Sequence, residues 1–375
     1  MNNNNMMNQN TALQVFRGKL AVYSMAHFCV DFACGCLCSN KYWISPDGML
    51  AVILYNFFAF ACQMPIGILA DKWNRNALVS TYGCLIVALG AVIAAIDLQF
   101  VLAAAVVAGI GNAMFHMGGG IDVLNASGSK SGPLGIFVSP GALGLFLGIA
   151  YGLTQGFVTL LPIGMMLVCA GVIAGCQKRW EHTFTSRNVP LSFRISSGTG
   201  KLLTIGAIAS LFIVVTLRSY VGLSQSFEWK SQWHWGAFLI AALVLGKALG
   251  GILSDKFGMH KTACITLTHA ALLYAFSGNH PIAGVLAVFC FNMTMPMTLW
   301  ALSQIFAQAK GFAFGTLTCA LFMGFMGTIL FKPIALSYGW CGMIASILSG
   351  ILLLIGLSAV RKPANSQEEN GGLST

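Results

Sequence analysis

Apolar runs of about 20 residues follow one another along almost the whole of this 375-residue chain, and they constrain its fold more than any other feature. A helix needs about 20 consecutive apolar residues to cross a hydrocarbon core of roughly 30 Å. Only 8% of the residues are charged and 57% are hydrophobic, whereas about a quarter are charged in soluble domains. We therefore predict an all-α integral membrane protein surrounded by membrane lipids.

Charged and turn-forming residues divide these runs into twelve candidate membrane helices. Their approximate bounds are 19–39, 48–70, 78–96, 99–124, 132–154, 158–177, 201–224, 233–253, 262–278, 281–303, 311–331 and 339–360. The longest polar stretch, the linker 178–200, separates two predicted six-helix bundles, 19–177 and 201–360. We predict a disordered tail over 1–18, without the features of a cleaved signal peptide, and a second tail over 361–375.

The positions of Lys and Arg predict the orientation of the chain, because cytoplasmic connections carry an excess of both. With the N-terminus inside, only Lys41, Lys230 and Lys332 of the 20 fall outside, while Arg218 and Lys247 fall within spans. We predict a multi-pass protein of the bacterial inner membrane with both termini in the cytoplasm. The net charge of +10 then reflects topology and attraction to anionic lipids, and we predict no nucleic-acid partner.

One polar phrase occurs twice in this apolar chain. It reads GILADKWNRN over 67–76 and GGILSDKFGMHK over 250–261. Both copies fall in the predicted cytoplasmic turn between the second and third helix of a bundle. The chain is therefore predicted to contain an internal repeat.

This phrase resembles the signature of the major facilitator superfamily, roughly G-x-L-a-D-R/K-x-G-R/K-R/K. Gly67, Asp71 and Arg75 match it in the first copy, and Gly251 and Asp255 match it in the second. The resemblance implies a secondary transporter in which two bundles rock about a site near the midplane. It also implies a small-molecule substrate, and we expect a monomer without a cofactor.

These five residues are predicted to form a conformational latch. A carboxylate at the end of one helix can accept hydrogen bonds from backbone N–H groups at the start of a neighbouring helix, and Arg75 can pair with Asp71. The alternative is simple anchoring by positive charges, which explains Lys72 and Lys256 but not the glycines or the aspartates. Asn74 replaces the usual Gly, and it can adopt left-handed backbone angles.

Three shorter phrases are similar to the subgroup that includes fosmidomycin-resistance exporters. They are AHFCVDF over 26–32, GIGNAMFH over 109–116 and LRSYVGLS over 217–224. The phrase SPGALGLFLG over 139–148 resembles the Gly-Pro-rich segment of antiporters in the superfamily. Together these likenesses slightly favour an antiporter or an exporter.

Titratable residues inside spans are costly and tend to face the bundle interior or a water-filled path. His27 and Asp31 are four residues apart and share one helix face. Asp31 lies about 18 Å along its helix, near the midplane. We predict Asp31, with His27, as the proton-coupling site; the alternative is a structural hydrogen bond between the two.

Four further residues are candidates for substrate binding. Arg218 and Lys247 can attract a carboxylate, phosphate or phosphonate group, since neither charge can remain unpaired in lipid. The alternative is that each pairs with a protein acid or extends to the surface. His116 and Asp122 lie in the inner half of the fourth span. An anionic or zwitterionic organic solute is therefore favoured.

Two other functions remain open at this point. Met293 and Met297 lie four residues apart, and their thioethers, with cysteine thiols, could bind cuprous copper in a metal-ion carrier. Packing of an apolar interface is the alternative role of these methionines. A non-transporting membrane sensor on the same fold is the second possibility. There is no P-loop of the form G-x-x-x-x-G-K-[ST] and no nucleophile–base set in a soluble domain, so we predict neither direct ATP drive nor an enzyme.

Overall fold

The computed structural model describes residues 3–154, 158–183, 191–331 and 339–360. These contain fourteen α-helices. In chain order, α1 to α14 are Asn3–Leu37, Gly48–Asn56, Gln63–Trp73, Asn76–Ile96, Val101–Ser127, Gly132–Gly152, Leu160–Thr183, Lys201–Ser224, Trp233–Phe257, Met259–Phe276, Pro281–Asn292, Met295–Ile305, Lys310–Leu330 and Trp340–Ser358. The predicted tail 361–375 lies outside the described residues.

The helices form twelve crossings. Eleven are long and apolar enough to span a membrane. The remaining one is the ninth crossing, α10, which carries His260, Lys261 and His269 within 18 residues and is less apolar, but it packs against α9, α11 and α14 within the bundle. An even number of crossings places the start of α1 and the end of α14 on one face, called here the terminal face.

The first helix begins earlier than the sequence suggested. Residues 1–18 were expected to be disordered, whereas α1 already begins at Asn3. The segment lacks Pro and contains a single Gly, Gly18, and extending an existing helix adds a hydrogen bond for each residue fixed. The long first span therefore continues toward the N-terminus without a break.

Two crossings are divided into shorter helices. In the second, a π-helical turn over Phe57–Ala61 separates α2 from α3. In the tenth, α11 ends at Asn292 and α12 begins at Met295, with Pro296 in its first turn. The missing N–H of Pro296 explains why the helix is interrupted there.

Each bundle packs through close helix pairs. In the first bundle α1 lies along α6, and α4 lies along α5; in the second, α10 lies along α14 and α8 along α13. A Cβ on Gly144 would lie 2.1 Å from the Phe28 carbonyl oxygen, and one on Gly148 equally close to that of Phe32. Glycine at these positions therefore lets the backbones of α1 and α6 touch.

Two helix pairs join the bundles, namely α6 with α9 and α3 with α13. These are the fifth and eighth crossings and the second and eleventh crossings. In each pair, the fifth crossing of one repeat lies against the second crossing of the other. This is the arrangement expected when a pseudo-twofold axis relates the two repeats. The residues of the candidate site lie on α1, α5 and α6 of the first bundle and on α8 and α9 of the second.

Candidate functional site

Asp71 caps a helix of the opposite bundle at the terminal face. Its carboxylate accepts hydrogen bonds from the backbone N–H groups of Gly311 at 2.9 Å and Phe312 at 3.0 Å. These residues begin α13, where the first N–H groups have no partner within the helix and the helix dipole favours an anion. Asp71 therefore joins α3 to α13 by charge-assisted contacts.

Asp255 makes the equivalent contact in the second repeat. Its two oxygens accept from the backbone N–H groups of Ser131 and Gly132, each at 2.8 Å. The Ser131 hydroxyl adds a bond of 3.1 Å to the same carboxylate. Asp255 thus caps α6 as Asp71 caps α13, and the two contacts close the terminal face on both sides.

Glycines in the repeated phrase allow these contacts. A Cβ on Gly67 would lie 2.3 Å from the Gly311 carbonyl oxygen, and one on Gly251 would lie 2.7 Å from that of Ser131. Asn74 ends α3 with φ +51°, the left-handed geometry predicted for it. Arg75, by contrast, forms no ion pair with Asp71 among the described residues.

The centre of the first bundle brings together two histidines and an aspartate. Nε2 of His27 lies 2.9 Å from Nε2 of His116 and 3.2 Å from Oδ2 of Asp31. Nε2 of His116 lies 3.6 Å from Oδ1 of Asp31. Both histidine side chains are buried, whereas 19% of the Asp31 side chain is exposed, so the carboxylate is the member that reaches solvent-accessible space.

Backbone carbonyls fix the orientation of both rings. Nδ1 of His27 lies 2.8 Å from the carbonyl oxygen of Phe137 on α6. Nδ1 of His116 lies 2.8 Å from the carbonyl oxygen of Asn112, one turn earlier on α5. The Asn112 amide also donates to Asp31 at 3.4 Å. Residues of α1, α5 and α6 therefore form the centre. From the sequence, only the proximity of His27 and Asp31 on α1 was predicted.

Gly141 provides the space in which His27 and Asp31 lie against α6. A Cβ at this position would lie 2.3 Å from Nε2 of His27 and 2.6 Å from Oδ2 of Asp31. Gly141 and Asn112 were not predicted as part of the site, although they lie in the phrases SPGALGLFLG and GIGNAMFH.

We expect Gly141→Ala to displace His27 and Asp31 and to lower the thermal unfolding midpoint, since the added methyl group has no free space. The expected cost is about 1–3 kcal/mol. Gly171→Ala in α7 is the matched control, because a Cβ there meets nothing within 4 Å. Equal midpoints for the two variants in differential scanning fluorimetry would contradict the arrangement.

The second bundle contributes two cations inside the membrane spans, the buried Arg218 and the half-buried Lys247. Arg218, on α8, is 7% exposed, and its Nη1 has no hydrogen-bond partner among the described residues. Lys247, on α9, lies within electrostatic range of both Arg218 and Asp31. None of the three ion pairs found in the described part of the chain involves Arg218 or Lys247.

Asp122 lies elsewhere and has protein partners on both oxygens. Lys19 pairs with Oδ2 at 2.9 Å, Tyr23 donates to the same oxygen at 2.9 Å, and Asn76 donates to Oδ1 at 2.9 Å. These contacts join α1, α4 and α5 near the terminal face. They favour a structural role for Asp122, whereas the substrate contact suggested by the sequence stays a prediction.

We expect Asp122→Ala to destabilise the first bundle by about 3–5 kcal/mol, because it breaks the buried ion pair of Lys19 and Asp122. The double variant Lys19→Met with Asp122→Leu should recover most of this loss, since it removes both charges. Thermal unfolding of the three proteins measures the effect. A single variant as stable as the wild type would show that the ion pair adds nothing.

The methionines considered as copper ligands are part of the apolar interior. Met293 is 4% exposed and Met297 is fully buried within the hydrophobic core. The backbone of Met293 packs on Gly250 of α9. This environment is typical of methionine as a packing residue.

Comparison with known proteins supports the fold. The chain is similar to the E. coli fucose:proton symporter FucP in a variant form, with a TM-score of 0.67, 14% identity and coverage of 91% of this chain and 98% of that one. A second FucP structure, in the outward conformation, has a TM-score of 0.64 and 13% identity, with the same coverage of both chains. The human organic anion transporter MFSD10 (TETRAN) has a TM-score of 0.67 and 12% identity, and the match covers 91% of this chain and 99% of that one.

No protein-family model matches the sequence, and no curated protein matches it. At the identities of the structural neighbours the likeness establishes the fold alone. The chain is a multi-pass membrane protein with the fold of major facilitator superfamily transporters, as the sequence predicted. The three neighbours are transporters and not enzymes.

Proposed function

We propose that the protein is a secondary active transporter that moves a small organic anion by alternating access, driven by protons. The observation that carries this proposal is the buried Arg218, with the half-buried Lys247 as a second cation. Arg218 has an orphaned guanidinium nitrogen, and Lys247 lies within electrostatic range of it. Buried charge without a partner is costly, so this region suits an anionic group brought by the solute.

The shape of an arginine favours particular anions. Its guanidinium presents N–H groups in a planar fork that matches carboxylate, phosphate and phosphonate oxygens. Lys247 adds a second positive charge from a different helix. A solute with two negative charges would neutralise both cations and one with a single negative charge would neutralise one of them, whereas a neutral sugar or a cationic drug would neutralise neither.

The capping contacts supply the conformational part of the proposal. Asp71 and Asp255 join the bundles at the terminal face, and contacts of this kind can form in one state and break in the other. By the positive-inside argument this face is cytoplasmic, and the membrane is the inner membrane of a bacterium. The state described would then be closed toward the cytoplasm, with the solute entering from the opposite face.

The proposal is tested by thermal unfolding of the purified protein against a set of compounds. The set includes succinate, citrate, phosphoenolpyruvate, phosphonoacetate, glycine betaine, fucose, a cationic dye and Cu⁺ under reducing conditions. A ligand that binds only the folded state raises the unfolding midpoint, and we expect the rise for the anions. Stabilisation by neutral or cationic compounds alone would contradict an anion site, and stabilisation by Cu⁺ alone would support the methionine alternative.

A further inference from the structure

Hydrogen bonding fixes where the protons of His27 and His116 lie. Each Nδ1 is 2.8 Å from a backbone carbonyl oxygen. A carbonyl can only accept a hydrogen bond, so each Nδ1 carries a proton. If both rings were neutral, both Nε2 atoms would therefore present lone pairs, and these two atoms lie 2.9 Å from each other.

Two facing lone pairs at this distance repel each other unless a proton lies between them. The arrangement therefore contains one proton more than two neutral rings hold, shared between the two Nε2 atoms. The pair then carries one positive charge. Asp31 balances it, with oxygens 3.2 Å and 3.6 Å from the two nitrogens.

A metal ion is the other species that such a group could hold. His27, His116 and Asp31 form the one cluster in the described residues with three His, Cys, Asp or Glu ligands close enough to share an ion. Two nitrogens bound to tetrahedral zinc at about 2.0–2.1 Å would lie about 3.3 Å apart. The observed 2.9 Å is shorter and falls in the range of protein hydrogen bonds, so the spacing fits a shared proton.

We propose that the coupling proton is held between His27 and His116, with Asp31 as its permanently ionised counter-ion. This proposal rests on the proposed function and changes the roles given by the sequence. Asp31 was predicted to carry the proton itself, and His116 was predicted to contact the substrate.

The charges around the pair predict how the proton and the solute are coupled. Asp31 faces the pair from α1 and Lys247 faces Asp31 from α9, while Asn112, Cys34 and Tyr55 contribute uncharged groups nearby. With the proton bound, the imidazolium and Asp31 cancel, which leaves the charges of Arg218 and Lys247. The proton and an anion therefore stabilise each other.

Binding energies are reciprocal, so a proton that strengthens anion binding is itself bound more tightly when the anion is present. The two would cross the membrane together. This charge balance favours co-transport over the exchange that SPGALGLFLG suggested.

The histidine pair is also connected to the interface between the bundles. Phe137, whose carbonyl oxygen accepts from His27, lies between Gly135 and Ser139 on α6. Ser139 donates to the Val244 carbonyl oxygen at 2.7 Å, and Gly135 packs against the backbone of Lys247. Loss of the proton would push the two imidazole rings apart. Through the hydrogen bond from His27 to Phe137, this movement would displace the segment of α6 that contacts α9.

The first test needs no solute. The protein, labelled with ¹⁵N only at histidine and held in nanodiscs, is compared by NMR with His27→Asn, His116→Asn and the control His269→Asn, an exposed histidine of α10. At pH 7 we expect two wild-type Nε2 signals whose ¹⁵N chemical shifts lie between those of a protonated and an unprotonated imidazole nitrogen. Both signals should be lost in His27→Asn and in His116→Asn, and both should remain in His269→Asn. Two bare Nε2 signals would overturn the proposal.

The second test follows protons on anion binding, with an indicator dye in weakly buffered solution, one pH unit above the midpoint found by NMR. Succinate, citrate, phosphoenolpyruvate and phosphonoacetate serve as probes. We expect uptake of up to one proton per bound anion, abolished in His116→Asn. Asp31→Asn should retain uptake, because the proton is held by the two histidines and not by the carboxylate.

The outcomes separate this proposal from the proposed function. Unchanged proton uptake in both histidine variants, or uptake lost only in Asp31→Asn, would place the proton elsewhere and overturn the histidine pair. Proton release on anion binding would overturn co-transport. If none of the probes binds the wild type, the anion proposal fails for them, while the NMR result still decides the pair.

Discussion

Replacing Arg218 with alanine is expected to weaken binding of an organic anion by about 30-fold or more, and to abolish its transport at micromolar concentrations. Removing one member of a buried charged contact costs about 2–5 kcal/mol, which corresponds to about 30- to 4,000-fold in affinity. The guanidinium is 7% exposed and one nitrogen is unpartnered in the described structure. The measurement is isothermal titration of the anion that most stabilises the wild type.

Two control variants define the origin of this effect. Arg218→Lys keeps the charge but loses the planar fork, so we expect an intermediate loss of affinity. Lys230→Ala removes an exposed cation from the opposite face, and we expect wild-type binding. Equal affinity for Arg218→Ala and the wild type would assign Arg218 a structural role and remove the main support for an anionic solute.

Replacing both Asp71 and Asp255 with alanine is expected to open the terminal face. Each aspartate accepts two backbone hydrogen bonds at a helix start, and a hydrogen bond to a charged group contributes about 1.5–3 kcal/mol. Hydrogen–deuterium exchange at Ser131, Gly132, Gly311 and Phe312 should therefore become roughly 10- to 100-fold faster.

Asp97 provides a matched control for the capping aspartates. Its side chain accepts from the backbone N–H of Gln99 at 3.0 Å, in an exposed turn on the opposite face. Asp97→Ala should leave exchange at the terminal face unchanged. If the double variant exchanged as slowly as this control, the aspartates would contribute only local caps and not the closure between bundles.

The sequence predicted the fold because the hydrocarbon core imposes a long apolar helix at each crossing. The repeated phrase also predicted that Asp71 and Asp255 occupy equivalent turns, and the left-handed geometry of Asn74 is confirmed. The helix starts that receive the two carboxylates were not predictable. They lie in the opposite bundle, far along the chain, and depend on how the bundles pair.

The central site was only partly predictable for the same reason. His27 and Asp31 share a helix face, so their proximity follows from helix geometry. The contact of His27 with His116 depends on the packing of α1 against α5. The surroundings of Asp122 were not predictable either, because its partners Lys19 and Tyr23 on α1 and Asn76 on α4 are brought to it by helix packing.

The measurement that tests the central claim most directly is uptake of a radiolabelled anion into proteoliposomes under an imposed pH gradient. The anion is the one selected by thermal unfolding. We predict saturable uptake into liposomes with an alkaline interior, accelerated by unlabelled anion inside and absent with Arg218→Ala. Binding without any flux would identify a sensor, and flux that neither saturates nor responds to internal anion would identify a pore; either result would contradict alternating access.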